Sequence, residues 1–257
     1  MIVCKSPAEL EKMRAANQLV AQILDELAAM VAPGVSTADL DAAAESKVRA
    51  AGAEPAFKGY RGYPATLCAS VNEQVVHGIP NKAPLKAGDI VSLDMGVKLN
   101  GYYGDSAVTV AVGQVRDEVA RLLRVTQEAL EKGIARVRVG GRISDIGHAI
   151  QTHVEAHGFS VVREFVGHGI GASLHEEPQI ANYGEPGRGP RLAEGMTLAI
   201  EPMVNMGKPA VKVLSDGWTA VTRDGSLSAH FEHTVAVTKD GPLVLTMRPV
   251  PAGKAGL

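Results

Sequence analysis

The first apolar pattern along the chain predicts two consecutive helices. Ser6 and Glu9 have the spacing of a capping box, and apolar residues recur at helical intervals over 10–30. The Pro-Gly pair at 33–34 ends this helix, because proline lacks the backbone donor that a helix needs and glycine favours turns. A second helix is predicted over about 36–51.

Strands are predicted wherever apolar residues alternate or form short β-branched runs. The Asn-Gly pair at 100–101 indicates a hairpin between two of them. Two further helices are predicted over about 117–136 and 144–157. The predicted strands cover 65–76, 90–99, 105–112, 161–166, 196–205, 210–214, 217–222 and 230–238. The last residues, 248–257, lack periodicity and are predicted to be loose.

Two helices followed by strands therefore occur twice, and an internal repeat in the sequence supports this. Three residues recur 106 positions later, namely Gly34, Asp39 and Gly52 as Gly140, Asp145 and Gly158. A period of this length is too long for a solenoid. We predict two similar halves that share one sheet.

The repeat also places carboxylates at matching strand positions. Asp94 lies in an apolar strand, six residues after a glycine. Glu201 lies in a second apolar strand at the same distance from a glycine, and the two motifs are offset by 107 residues. Asp105 and Glu232 each begin an acid-x-x-Val-x-Val motif. A single buried carboxylate is best explained by a basic partner, but four together would repel one another. Divalent cations resolve that repulsion, so the sequence indicates a metal centre.

Composition narrows the class of protein. Lys and Arg total 26 against 28 Asp and Glu, which gives a net charge of −2 and disfavours nucleic-acid binding as the main function. Hydrophobic residues at 46% disfavour disorder, and no apolar run is long enough for a membrane span. The two cysteines, Cys4 and Cys68, exclude a disulfide framework and fit a reducing cytosol. Aromatic residues are only 4%, so a core of Val, Leu, Ile and Ala is expected.

Among the eight histidines, His168 is the best candidate ligand, because glycines on both sides allow close backbone approach. His175 and His77 are further candidates near predicted strands. His153 and His157 have the spacing of the two histidines of an HExxH zinc site, but Val154 stands where that motif needs glutamate. They and His148 are predicted to be solvated on one helix.

Several motifs together resemble one family. They are VNEQVVHGIP (71–80), SLDMGVKLNGYYGDSA (92–107), FVGHGIGASLHEEPQ (165–179), TLAIEPMV (197–204) and DGWTAVTRDGSLSAHFEHTV (216–235). The set is similar to type I methionine aminopeptidase of the bacterial kind, from about residue 5 to 247. The resemblance implies the α/β (α+β) pita-bread fold, a curved antiparallel sheet flanked by helices with two pseudo-symmetric halves. We expect a single catalytic domain over 1–257, with halves of about 5–112 and 117–240.

The resemblance also implies the site residues. The implied metal ligands are Asp94, Asp105, His168, Glu201 and Glu232, with Asp105 and Glu232 bridging two ions. The implied methionine pocket contains Phe57, Tyr60, Tyr63, Cys68, Leu174 and Trp218, together with the two catalytic histidines His77 and His175. Phe57 stands where relatives often have a smaller residue and Leu174 where they have an aromatic one. A monovalent cation, Na⁺ or K⁺, would use backbone carbonyls near Asn72, Gln74 and Ser228.

From these residues we expect hydrolysis of N-terminal methionine when the second residue is small. A metal-bridged hydroxide would attack the carbonyl while Glu201 acts as general base. His175 would donate to the carbonyl or the developing oxyanion, and His77 to the scissile nitrogen or the leaving group. The two divalent ions would be cobalt, manganese, iron, nickel or zinc. We expect a cytoplasmic monomer that acts on nascent polypeptide N-termini at the ribosome, without nucleic-acid specificity and without a membrane.

Two alternatives stay open at this stage. An aminopeptidase P or prolidase relative would share the metal ligands, although those proteins usually carry an additional N-terminal domain. A pita-bread binding module without catalytic activity would bind protein and usually lacks metal ligands. Here all five ligand positions hold residues able to bind metal.

Overall fold

The computed structural model describes residues 1–247, so the tail predicted to be loose lies outside the described residues. Its helices are α1 Pro7–Met30, α2 Thr37–Ala50, α3 Asp117–Ile134 and α4 Ile143–Ala156, with a short 3₁₀ helix at Tyr60–Gly62. The strands of the first half are β1 Glu54–Pro55, β2 Leu67–Val71, β3 Gln74–Val76, β4 Ile90–Leu99 and β5 Tyr102–Ala111. Those of the second half are β6 Ser160–Val161, β7 Gly167–Gly169, β8 Glu176–Ile180, β9 Thr197–Ile200, β10 Met203–Asn205, β11 Val211–Val213, β12 Ala220–Thr222, β13 Ser228–His230, β14 Glu232–Thr238 and β15 Gly241–Val244.

The predicted helix starts are confirmed, and the internal repeat has a structural meaning. The side chains of Asp39 and Asp145 each accept a hydrogen bond from the backbone N–H three residues earlier, at the start of α2 and α4. Gly34 and Gly140, which precede these helices, both adopt positive φ angles of 96° and 84°. The repeated residues therefore form the same turn and the same helix cap in each half.

One antiparallel sheet of nine strands unites the two halves. Its main order is β1-β4-β5-β14-β9-β7-β8, while β2 also pairs with β4 and β15 with β14. The predicted hairpin joins β4 to β5 around the Asn-Gly turn at 100–101. The halves meet where β5 pairs with β14, and two smaller three-stranded sheets complete the molecule. This is the mixed α/β architecture that the sequence predicts, with one helix pair before the strands of each half.

Several predicted strands are wrong in extent. The strand predicted over 65–76 is two strands, because Asn72 turns the chain with a φ of 55°. The strands predicted over 196–205 and 230–238 are each split between the large sheet and a smaller one. The strand predicted over 161–166 shrinks to Ser160–Val161, and 217–222 to Ala220–Thr222. The short strands β1, β7, β8 and β15 were not predicted.

The core is aliphatic, as the composition predicts. One buried cluster packs α3 and α4 against strands of the second half, and another packs α1 and α2 against β2 and β4. His233 lines a second cavity together with residues of α1 and α3, and its neighbour Glu232 also lines the cavity that contains Asp94 and His168. Within 1–247, no helix is both long and apolar enough to cross a membrane. The helices therefore cover one face of the sheet and leave the opposite face for a site.

A candidate metal centre

The five predicted metal ligands lie on five adjacent strands of the large sheet. Their positions are Asp94 on β4, Asp105 on β5, Glu232 on β14, Glu201 directly after β9 and His168 on β7. Each strand contributes one side chain, and all five line the same cavity. Residues that are far apart in sequence are thus brought together by strand pairing.

Sheet register explains why the carboxylates share a face. Asp94 pairs with Ala107 on one side of β5, and Glu232 pairs with Ala107 on the other. Asp105 precedes Ala107 by two residues, so alternation directs it to the same face. The hydroxyl of Ser106 donates to the Glu232 carbonyl at 2.6 Å, which reinforces the pairing of β5 with β14. Three acids therefore surround one small alanine.

His168 depends on its two glycines in the way that the sequence indicates. A Cβ atom at Gly167 would collide with the Ala199 carbonyl oxygen, and one at Gly169 would collide with the Glu177 carbonyl oxygen. Only glycine therefore allows β7 to fit between β8 and β9. The Nδ1–H of His168 donates to the Gly169 carbonyl at 2.8 Å, which leaves Nε2 for the cavity. Metal-binding histidines are commonly oriented by such a bond.

Distances within the centre fit a group of ligands around cations. His168 Nε2 lies 3.6 Å from Glu201 Oε1 and 3.9 Å from Asp105 Oδ2. Ligand atoms of Asp105, His168 and Glu232 all lie within 4.8 Å of one another. Asp105 Oδ1 and Glu232 Oε1 are buried without a hydrogen-bond partner among residues 1–247. Buried carboxylate oxygens without partners are unfavourable unless a cation binds them, so the residues fit divalent metal.

The electrostatics of the four carboxyls lead to the same conclusion. Burial raises the pKa of Glu201 to about 8. Burial also raises the pKa of Asp94 to about 7, with a further increase from Glu201 and a decrease from His230. For Asp105 and Glu232, burial and the neighbouring acids raise the pKa well above its ordinary value. The protein alone thus disfavours four negative charges here, and cations would favour them.

The two predicted catalytic histidines, His77 and His175, both line the cavity. Burial, followed by the charges of His230 and His175, lowers the pKa of His77 to about 4. His175 lies at the exposed rim, where partial burial and the nearby Arg61 cation lower its pKa. Its Nδ1 is 2.9 Å from the Tyr60 hydroxyl, and the two rings stack with centroids 5.3 Å apart. Both imidazoles are therefore neutral near pH 7 and can donate an N–H.

The predicted pocket residues all line this cavity, which encloses about 160 Å³. Tyr63 is buried and its hydroxyl donates to the carbonyls of Leu67 and Gly78, so it supports the wall. Trp218 packs edge-on against Tyr63 at a centroid distance of 5.2 Å. The residues shared by the pocket and the prediction are Phe57, Tyr60, Tyr63, Cys68, Leu174 and Trp218. An apolar pocket thus adjoins the carboxylate centre.

Two residues near the centre were missed by sequence reasoning. His230 is 1% exposed, and its Nε2 lies 3.7 Å from Glu201 Oε2. Neither of its ring nitrogens has a hydrogen-bond partner within 1–247. Arg61 lines the cavity beside Tyr60 and adopts a φ of 50°. The signal for His230 was its position two residues before Glu232; Arg61 carried no comparable signal.

The residues predicted for a monovalent cation are only partly brought together. The backbone N–H of Ser228 donates to the Asn72 carbonyl at 3.0 Å, so these two are adjacent. Gln74 begins β3, and its side chain accepts from the Val71 N–H at 3.0 Å. The cation therefore stays a prediction.

The fold and this centre define a class of hydrolase. The profile of metallopeptidase family M24 matches residues 11–239, which span the whole centre. The prolidase of Pyrococcus furiosus shares the fold with a TM-score of 0.77 at 21% sequence identity, and this chain covers 66% of it. That likeness concerns the fold alone.

Nearer relatives define the subgroup. Methionine aminopeptidase 1 of Bacillus subtilis is 55% identical over 246 residues, which cover 96% of this chain and 99% of that protein. The crystal structure of methionine aminopeptidase from Thermotoga maritima is 50% identical and has a TM-score of 0.95, covering 96% of this chain and 100% of that one. The chain therefore belongs to the methionine aminopeptidases of metallopeptidase family M24, and its pita-bread fold is confirmed.

Proposed function

We propose that the protein removes N-terminal methionine from polypeptides whose second residue is small, using two divalent ions. The observation that carries this proposal is the single cavity that joins the carboxylate centre to an apolar pocket. Asp94, Asp105, His168, Glu201 and Glu232 would hold the ions. Bound divalent ions lower the pKa of coordinated water and polarise a peptide carbonyl.

The chain's own residues would manage the protons. Glu201, which lines the cavity between His168 and His230, would accept a proton at its carboxylate and pass it on. The Tyr60 hydroxyl donates to Nδ1 of His175, so that Nε2–H of His175 donates to the substrate carbonyl or the developing oxyanion. His77 donates to the scissile nitrogen or stabilises the leaving group. Its burial keeps the imidazole neutral.

Specificity would follow from the size and polarity of the cavity. A volume of about 160 Å³ is well below the roughly 300–1,000 Å³ of sites for drug-sized ligands, so it suits one side chain. Phe57, Leu174 and Trp218 offer an apolar wall to an unbranched thioether. Tyr60 and His175 stand at the rim and would leave room only for a small second residue.

Six narrower statements are part of the proposal. The ions are cobalt, manganese, iron, nickel or zinc, and Na⁺ or K⁺ binds near Asn72, Gln74 and Ser228. The chain is a single catalytic domain with halves of about 5–112 and 117–240. It acts in the cytoplasm as a monomer, and its substrates are nascent N-termini at the ribosome.

The direct test is release of methionine from the peptide Met-Ala-Ser. Purified protein with Mn²⁺ or Co²⁺ should release free methionine, and EDTA should stop the reaction. Met-Leu-Ser is the control for second-residue size and should be cleaved far more slowly. Cleavage of X-Pro bonds by metal-loaded protein that leaves Met-Ala-Ser intact would refute the proposal and favour a prolidase activity.

The roles of the histidines need a separate test. His175→Ala should lower kcat strongly, while the metal content stays near that of the unchanged protein. Loss of metal from this variant would show that His175 supports the centre instead of acting on the substrate.

A further inference from the structure

A second group of metal-binding side chains lies on the helix pair α3 and α4, outside the cavity. His153 and His157 are four residues apart on α4 and at its end, so they share one face of the helix. Glu128 comes from α3, which packs beside α4. The three residues belong to neither the pocket nor the five-residue centre. They are called the helix-pair cluster below.

The contacts in this cluster are close. Nε2 of His153 lies 3.0 Å from Oε2 of Glu128, and the two imidazole centroids are 4.5 Å apart at an angle of 50°. One ligand atom of each residue lies within 4.8 Å of those of the other two. Potential ligand atoms of two imidazoles and one carboxylate are therefore already close together.

The end of α4 also selects the nitrogen that His157 would use. Its Nδ1–H donates to the carbonyl of His153 at 2.8 Å, because a carbonyl oxygen can only accept. In the neutral ring the lone pair is then on Nε2. A helix carbonyl near a C-terminus thus orients this imidazole, as outer hydrogen bonds do for histidines that bind metals.

We propose that the helix-pair cluster is a second transition-metal site, separate from the catalytic centre, that binds Zn²⁺ through His153, His157 and Glu128. Imidazole with carboxylate is a donor set that zinc uses in proteins, with water completing the coordination. When the ion binds, His153 coordinates through Nε2 as the neutral tautomer that carries its proton on Nδ1, and Glu128 exchanges its hydrogen bond with His153 for the ion. The bound ion links α3 to α4.

One neighbouring charge opposes binding. Nε of Arg124 lies 3.7 Å from Oε1 of Glu128, one turn earlier on α3. This cation repels a metal ion and shares the carboxylate. The Arg124→Gln variant should therefore bind Zn²⁺ several-fold more tightly than the unchanged chain. This change would not occur if His153 and Glu128 served only to join the two helices.

The experiment is equilibrium dialysis of the full chain against buffered free Zn²⁺, with the bound metal counted by mass spectrometry. His153→Gln and His157→Gln should each bind one zinc equivalent fewer than the unchanged protein, whatever the number held at the catalytic centre. His148→Gln is the matched control, because it removes an exposed imidazole from the same helix. It should bind as much zinc as the unchanged chain. Equal zinc content in all four proteins would overturn the proposal, as would loss of an equivalent in the control.

A second measurement locates the ion without any variant. In long-range ¹⁵N spectra of the histidine rings, Zn²⁺ should shift Nε2 of His153 and His157 together. Arg124→Gln should lower the zinc concentration at which this occurs by at least about threefold. Unchanged ring signals of both residues at saturating Zn²⁺ would overturn the proposal.

Discussion

Removal of the divalent ions should make the stability of the protein fall as pH rises. The perturbation is dialysis against a chelator, which leaves four buried or partly buried carboxyls without cations. In the folded, metal-free protein their pKa values lie above those of the unfolded chain. The folded state then holds more protons than the unfolded state between about pH 4 and 8. Stability therefore decreases as pH rises through this window.

The magnitude follows from the two carboxyls with defined values. For Asp94, with a pKa of about 7, raising the pH from 5 to 7 lowers the free energy of unfolding by about 3 kcal/mol, at about 1.4 kcal/mol per pH unit. For Glu201, with a pKa of about 8, raising the pH from 5 to 8 lowers the free energy of unfolding by about 4 kcal/mol. The free energy of unfolding of an ordinary domain is about 5–15 kcal/mol, so this loss is a large share of the stability of the protein.

The assay is urea unfolding at pH 5, 7 and 8.5, for metal-loaded and metal-free protein. The difference between the two forms should widen with pH by several kcal/mol. Asp94→Asn is the matched control, because its amide cannot ionise; in its metal-free form the loss should be about 3 kcal/mol smaller. Metal-free protein that is as stable at pH 8.5 as at pH 5 would refute the reasoning about these carboxyls.

Three further predictions concern activity. Tyr60→Phe removes the hydrogen bond to His175 and should lower kcat roughly tenfold, about 1.4 kcal/mol, with KM and metal content nearly unchanged in a steady-state assay. Glu201→Gln should lower kcat roughly 10²–10⁴-fold, measured on protein whose metal content is verified, and a smaller loss would argue against general base catalysis. Gly96→Ala places a Cβ 2.9 Å from the Phe57 ring and should weaken substrate binding, seen as a higher KM. An unchanged KM in this variant would show that displacement of the Phe57 ring does not affect substrate binding.

The helices and the hairpin were predictable because their signals are local. The capping box of Ser6 and the Asn-Gly turn at 100–101 each act within a few residues. The broken strands were not predictable in this way. Residues 196–205 are predicted as one strand, yet the chain leaves the large sheet at Glu201 and continues in another. Alternation along a strand does not show which partner the strand pairs with.

The residues of the candidate site were likewise predictable only in part from the sequence. Repeat-related positions indicated Asp94, Asp105, Glu201 and Glu232, and the flanking glycines indicated His168. The resemblance to a known family joined these residues into one ligand set. His230 was not predicted as a site residue, because it was placed at the start of one continuous strand. In the structure the strand is interrupted at Phe231, between β13 and β14. Strand β7 was not predicted, because glycines have low strand propensity. The position of β7 between its neighbouring strands also depends on residues distant in sequence.

The pairing of β5 with β14 has a consequence for how the molecule assembles. Asp94 and Glu232 pair with Ala107 of β5 from its two sides, although more than half of the chain separates them. Closing so long a loop is entropically unfavourable, and ions held from both sides would act as a noncovalent cross-link. The centre can form only after residue 232 has been synthesised and β14 has docked. Its metal ions would therefore bind only after the two parts of the sheet have paired.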